Sequence, residues 1–119
     1  MNKVLFLFLV NLLYLIDIYI KSPPKNHSVY IAAKAGLEIV TRLLARDLAP
    51  DVRVNGISPG AILWPEKSMD NKTKEDILNT IPLKRKGSAQ DIADCVLFLV
   101  NTSNYITGQI ISVDGGKSI

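Results

Sequence analysis

The sequence predicts an α/β protein in which a parallel sheet of about three strands is covered by about three helices. Short apolar runs rich in Val, Ile and Leu alternate with longer segments of helical periodicity, and turn-forming residues separate the two. Strands that are buried on both faces read as continuous apolar runs, so we expect helices on both sides of the sheet. With so few elements, at least one edge of the sheet should lack a neighbouring strand.

The first half of the chain predicts a strand, a loop and a long helix. Residues 12–18, LLYLIDI, fit a buried strand that ends near Asp17, and the prolines in 21–27 make that segment a loop. A helix is predicted over 28–49, where Pro50 ends it. Its apolar positions recur at helical spacing: Leu37, Val40, Leu44 and Leu48.

The second half predicts two strands with two helices between them. Ser88 is the expected N-cap of the second of these helices, because Asp91 stands three residues later and an apolar face follows. The remaining elements are a strand over 52–58, a loop over 61–69, a short helix over 73–79, a strand over 109–113 and a turn over 114–116.

The apolar N-terminus, residues 1–11, has two interpretations. A membrane anchor or signal segment would need a longer run, since the uninterrupted part, Val4–Val10, is well short of the about 20 residues that span a bilayer. Asn11 and Asp17 interrupt the longer stretch, and no cleavage site of small residues follows. We therefore predict a buried strand here and no membrane segment.

Size and composition exclude several functional classes. A chain of 119 residues with a net charge of +3 is one small domain, and its basic residues are scattered apart from KRK at 84–86, which argues against nucleic-acid binding. Cys95 is the single cysteine, so no internal disulfide can form and a reducing, cytoplasmic location is expected; its place on an apolar helix face predicts an inert buried thiol. His27 is the single histidine and is assigned to a loop, which leaves too few ligands for a His/Cys zinc site and disfavours a His-based triad, so no metal site is expected.

Tyr30 and Lys34 lie four residues apart in the predicted helix and so share one face. A nearby ammonium stabilises a phenolate and lowers the tyrosine pKa, which would turn Tyr30 into a usable proton donor at neutral pH. On spacing alone, the favoured interpretation is two surface side chains whose polar ends reach solvent.

The wider context of this pair resembles a known family. The segments YIAAKAGLEIVTRLLARDLAPDVRVNGISPG and DIADCVLFLVNTSNYITGQIISVDGG are similar to the C-terminal half of the short-chain dehydrogenase/reductases. The resemblance covers about residues 12–117 and implies the C-terminal half of a Rossmann-type, doubly wound parallel sheet. It assigns 12–119 to that domain and leaves 1–11 unassigned. It also implies that Tyr30 donates the proton, that Lys34 lowers its pKa and binds the nicotinamide ribose, and that Asn55 is structural.

Asp17 stands thirteen residues before Tyr30, where the family commonly has serine. An aspartate there resembles the pteridine reductases, as does the loop SPGAILWPE at 58–66. The resemblance implies that Asp17, Tyr30 and Lys34 deliver protons while NADPH reduces a pterin ring. Alternatives are a 3-ketoacyl or other carbonyl reductase of the family, with Asp17 a tolerated change, or an aspartate that only binds loop amides. The four-residue spacing of Tyr30 and Lys34 disfavours the enoyl reductases of the family.

Two further segments carry expected binding residues. By the same resemblance, Pro59 and Gly60 form a turn beside the nicotinamide, and Leu63 and Trp64 border the substrate, with Trp64 as a wall for a flat ring. A hydrophobic plug or a contact between subunits would explain Leu63 and Trp64 equally well.

The glycine-rich turn that holds the pyrophosphate in Rossmann domains is not found in this sequence. All seven glycines stand at position 36 or later, so neither G-x-G-x-x-G nor G-x-x-x-G-x-G occurs. We therefore expect weak binding of NADPH by this chain alone. The remaining possibilities are a homo-oligomer, a second chain that supplies the N-terminal half, or an inactive remnant that needs such a partner.

Overall fold

The computed structural model of the chain describes residues 11–21, 23–62 and 68–119. The described elements follow one another as predicted, and they are β1 (Asn11–Leu15), α1 (Ser28–Asp47), β2 (Arg53–Pro59), α2 (Asn71–Asn79), α3 (Ala89–Leu97) and β3 (Ile110–Val113). A 3₁₀ turn, Ile18–Ile20, follows β1, and a π-helical turn, Phe98–Thr102, extends α3.

The three strands form one parallel sheet in the order β1-β2-β3, which confirms the predicted fold class. In the register, Leu15 lies opposite Ile57, and Gly56 lies opposite Ile110. Five consecutive residues of β2, Val54–Ser58, are buried. Because neighbouring side chains of a strand point to opposite faces, both faces of β2 are covered, as expected. Among the described residues β1 and β3 each pair with β2 alone, so both strands are edges.

The predicted end of the first strand was wrong. β1 ends at Leu15, and Asp17 instead caps the 3₁₀ turn, its Oδ1 accepting a hydrogen bond of 2.9 Å from the Tyr19 amide. An aspartate competes with strand pairing in this way because its short side chain reaches the amide two residues on. The other predicted boundaries differ from the observed ones by one or two residues.

Helix α1 packs on the sheet through its small positions. Thr41 and Ala45 are buried there, and Gly108, at φ 71°, comes so close that an added Cβ would lie 3.4 Å from the Cβ of Ala45. Among the described residues the core also contains Val54, Ile57, Ile81 and Leu99, each almost fully buried. These contacts fix α1 over β2, which places the first turn of the helix above the carboxyl end of β1.

Two polar side chains of β2 hold the segments around it. Asn55, the expected structural residue, donates to the Ile106 carbonyl and accepts from the Gln109 amide, both at 3.0 Å. Arg53 donates to the carbonyls of Leu99 and Ile106 at 2.7 and 3.2 Å, and partial burial lowers the pKa of this guanidinium. The turn after α3 and the entry to β3 are therefore bound to the central strand.

The predicted start of α3 is confirmed by a complete capping box. Asp91 donates its amide hydrogen to Ser88 Oγ at 3.2 Å, and the Asp91 carboxylate accepts from the Ser88 amide at 2.7 Å. The Arg85 guanidinium binds the same carboxylate through both oxygens, at 2.9 and 3.1 Å, and is the largest reason that its pKa lies well below the usual range. The helix entry is thus fixed by two residues, Ser88 and Arg85, that both bind Asp91.

Some sequence predictions fall outside the described residues. These are the strand proposed for Val4–Val10 and the substrate wall of Leu63 and Trp64. Across the described ranges, each helix is too short or too polar to cross a bilayer.

Candidate active site

Asp17 and Tyr30 meet at the carboxyl end of β1. Tyr30 lies in the first turn of α1, and its hydroxyl donates a hydrogen bond of 2.5 Å to Asp17 Oδ2. The other carboxylate oxygen is the one that caps the 3₁₀ turn. Both interpretations of Asp17 from the sequence are therefore compatible, because one oxygen binds a loop amide while the other binds the phenol.

Lys34 lies one helical turn after Tyr30 and is anchored to the same strand end. Its ammonium donates to the Leu15 carbonyl at 3.1 Å and lies 5.9 Å from the centre of the Tyr30 ring, at the outer limit of a cation–π contact. An ammonium has three donors, and this is the one hydrogen bond that joins it to the described residues. As far as the described residues go, its remaining donors are available to a ligand.

The electrostatics of Tyr30 differ from the simplest expectation for a Tyr–Lys pair. The pKa of Tyr30 is raised above its ordinary value of 10.0, first by the hydrogen bond to Asp17, then by burial and by the negative charge of Asp17. Lys34 is not among the causes of this shift, and its ammonium donates to a backbone carbonyl, so its role in lowering the Tyr30 pKa remains a prediction. Tyr30 therefore stays protonated at neutral pH.

Asp17 and Tyr30 line a cavity of about 800 Å³, a volume typical of small-molecule sites, whereas Lys34 is not among its lining residues. Asp17, Tyr30, Tyr19 and Lys117 are its polar members. Its apolar lining comes from the end of β1, the turn after β2 and the facing sides of α2 and α3: Leu15, Ile16, Ile18, Ala61, Ile62, Met69, Ile77, Ala89 and Ile92. Lys117 was not found from the sequence, where its place beside the terminal DGG turn indicated only a turn.

Pro59 and Gly60 also line this cavity. A Cβ added to Gly60 would lie 2.7 Å from both Cα and Cβ of Asp114, a distance that real side chains do not reach. The packing of the chain against itself therefore explains the glycine without any ligand. The role of this turn beside a nicotinamide remains a prediction.

Other features of the described residues carry less chemistry. A second cavity, of about 480 Å³, lies at the end of β3, and its charged pair, Arg85 and Asp91, is already committed to the start of α3. Cys95 is half-buried and burial raises its pKa, which agrees with an inert thiol. Within the described ranges no three His, Cys, Asp or Glu side chains converge on a metal position.

Comparison of this sequence with known proteins identifies relatives of the chain. Residues 11–118 match a family model described as enoyl-(acyl carrier protein) reductase. Pteridine reductase 1 of Leishmania tarentolae is 39% identical over 88% of this chain and 37% of its own length. The 3-oxoacyl-[acyl-carrier-protein] reductase FabG of Thermotoga maritima is 38% identical (93% and 45%), and a dihydromonapterin reductase of Citrobacter koseri is 34% identical (92% and 45%).

A solved structure shares both sequence and fold with the chain. The short-chain dehydrogenase/reductase (glucose/ribitol dehydrogenase) of Brucella melitensis superposes with a TM-score of 0.77 at 33% identity, over 90% of this chain and 43% of that one. The chain thus spans less than half the length of the relatives that it matches. The parallel sheet, the Tyr30–Lys34 pair and these matches together show that the chain belongs to the short-chain dehydrogenase/reductase family.

Proposed function

We propose that the site takes part in the NADPH-dependent reduction of a pterin ring. The observation that carries this proposal is the hydrogen bond between Tyr30 and Asp17, a carboxylate at the position where a carbonyl reductase of the family commonly has serine. A carboxylate suits a ring that bears an amino group and N–H donors, because it accepts hydrogen bonds that a carbonyl substrate cannot offer.

In this mechanism Tyr30 supplies the proton. The hydroxyl is protonated at neutral pH, and although its raised pKa makes it a weaker acid, it can donate to a ring nitrogen whose developing negative charge makes that nitrogen the stronger base. Proton transfer leaves a phenolate, and the Lys34 ammonium is close enough to stabilise it. The N–H donors of Lys34 that do not bind the Leu15 carbonyl would then turn toward the ring, held there by a ligand or by solvent. Asp17 orients the phenol and can return a proton to it from solvent.

The residues present fit one end of the dinucleotide. Lys34 has donors left for ribose hydroxyls, and Tyr30 opens into the same cavity as Pro59 and Gly60. NADPH would supply the hydride. No glycine-rich turn in this sequence can hold its pyrophosphate, so we propose that a further segment or a partner chain provides that half. The single cysteine agrees with a cytoplasmic location for such a reductase.

Reduction of a 3-ketoacyl group is the second candidate. It is favoured by the 38% identity to FabG, which is nearly equal to the identity to pteridine reductase 1. In that case Asp17 would have no specific role in substrate recognition. The two candidates therefore differ in how much activity depends on the Asp17 carboxylate.

The test measures NADPH oxidation with a dihydropterin and with a 3-ketoacyl thioester, for the chain alone and mixed with a glycine-rich βαβ partner from the same gene region. Tyr30→Phe should reduce pterin turnover by about 10²-fold or more. Tyr105→Phe is the matched control, because Tyr105 is fully exposed and is not among the residues that line the cavity. Asp17→Ser should abolish the preference for the pterin.

Two results would contradict the proposal. One is turnover of the thioester without any turnover of the pterin, which would favour the carbonyl reductase. The other is an active mixture in which Tyr30→Phe and Tyr105→Phe behave alike, which would remove Tyr30 from the chemistry.

A further inference from the structure

The turn that follows β3 is held rigidly beside the candidate site. The Asp114 carboxylate accepts hydrogen bonds from the amides of Gly116 and Ser118, at 2.9 and 3.0 Å, and the Lys117 amide donates to the Asp114 carbonyl at 3.2 Å. These hydrogen bonds leave the pKa of Asp114 below its ordinary value although burial opposes them. The backbone of Lys117 is therefore fixed on both sides.

The same turn is tied to the segment that carries Asp17. Lys21, at the end of the 3₁₀ turn, donates to Ser112 Oγ at 3.3 Å and to Ser118 Oγ at 3.4 Å. The C-terminal turn contributes one side chain, that of Lys117, to the cavity wall, and its position is coupled to that of the catalytic candidates. A residue on this wall lies at a defined place relative to Asp17.

Lys117 is the cationic side chain among the described residues that line the cavity, and Asp17 is the anionic one. Both oxygens of Asp17 already have partners, Tyr30 and the Tyr19 amide. Asp114, the nearest carboxylate in sequence, is committed to the turn amides. Within the described part of the chain, no ion pair neutralises Lys117. A half-buried cation on a largely apolar wall favours an anionic group of the ligand.

We propose that Lys117 determines specificity by binding a negatively charged arm of the substrate, a phosphate or a carboxylate, while the ring lies against Asp17 and Tyr30. This proposal rests on the proposed function and adds the chemistry of the substrate's far end to it. A ring substrate without a charged arm would gain nothing from Lys117. Lys117 would thus change substrate affinity and leave the proton transfer unaffected.

The experiment measures binding by isothermal titration calorimetry at low ionic strength. 7,8-Dihydroneopterin and its 3′-monophosphate differ only in the phosphate, and dihydrofolate presents carboxylates instead. In Lys117→Gln the dissociation constant of the monophosphate should rise about 2- to 5-fold, as expected for a partly exposed ion pair, while that of uncharged dihydroneopterin stays within about 1.5-fold. Lys117→Glu should weaken binding of the monophosphate further, and Lys117→Arg should restore that binding.

Lys72→Gln is the matched control, since Lys72 is an exposed lysine on α2 that does not line the cavity. The monophosphate carries a phosphate and dihydrofolate carries carboxylates. The compound that loses more affinity in Lys117→Gln identifies which of these anionic groups Lys117 binds. The difference between the wild type and Lys117→Gln should shrink as salt is added, because the interaction is electrostatic.

Failure of this inference is distinct from failure of the proposed function. If all three ring compounds bind and Lys117→Gln matches Lys72→Gln, Lys117 has no such role and the pterin proposal stands. If dihydroneopterin does not bind but p-aminobenzoyl-glutamate binds in a Lys117-dependent way, the anionic arm is supported and the pterin ring is overturned. If none of these compounds binds, both proposals are overturned.

Discussion

Gly60 follows β2 at a point where the chain leaves no room for a side chain. A Cβ built on Gly60 would lie 2.7 Å from Asp114 Cα and Cβ and 3.3 Å from the Asp114 carbonyl oxygen. Because two of these atoms are backbone, the contact cannot be relieved by a side-chain rotation, and either the end of β2 or the C-terminal turn must move. We expect Gly60→Ala to lower the free energy of unfolding by about 1–3 kcal/mol, the range for overpacked sites.

Urea denaturation followed by circular dichroism measures this effect. With a slope of about 1.5 kcal/mol/M, a loss of about 2 kcal/mol lowers the midpoint by about 1.3 M. Gly36→Ala is the matched control, because Gly36 lies inside α1 and an added Cβ meets nothing within 4 Å. Alanine should stabilise that helix by about 0.5–1 kcal/mol. A Gly60→Ala variant as stable as wild type would refute the packing explanation for Gly60.

Three further substitutions test the electrostatics. Asp17→Asn should lower the Tyr30 pKa, because the charged acceptor that stabilises the protonated phenol is removed; ¹³C-labelled tyrosine NMR would show an unchanged or higher pKa if this is wrong. Arg53→Met should lower the free energy of unfolding by about 1–3 kcal/mol, since two backbone carbonyls lose their donor, and urea denaturation measures it. The pKa of Asp91 is depressed in the folded state, chiefly by Arg85, so its stabilisation exists above the unfolded value of about 3.9 and is lost as the pH falls. The stability difference between wild type and Asp91→Asn should therefore shrink below about pH 4.

The order and type of the elements could be predicted because each carries its own local signal. The capping box at Ser88 and Asp91 is a purely local motif, and it appears in the structure as the sequence indicated. The central strand was equally legible, since VRVNGIS is a short run with three β-branched residues that a Pro-Gly turn follows, and β2 is buried on both faces. Parallel pairing then follows from the helices that separate the strands.

The candidate site was only partly predictable, because its properties depend on contacts between distant segments. Spacing placed Tyr30 and Lys34 on one helical face, but the direction of the Tyr30 pKa depends on which partner each side chain reaches in three dimensions. Lys117 reaches the cavity through the return of β3 beside β2, a tertiary arrangement with no motif of its own. The end of β1 could not be foreseen either, since Asp17 fits a strand and a turn cap equally well.

The geometry separates the proton chemistry from nucleotide binding. Asp17, Tyr30 and Lys34 are held by the end of β1, the 3₁₀ turn and the first turns of α1; β1 and α1 pack on β2, and the 3₁₀ turn packs on α1. The hydrogen bonds that hold Asp17, Tyr30 and Lys34 are all made within this chain, whose sequence does not contain the glycine-rich turn. The raised pKa of Tyr30 should therefore be measurable in this chain even if it oxidises no NADPH. A chain with that pKa and no turnover would retain the contact between Asp17 and Tyr30, whereas a chain without it would have lost that contact.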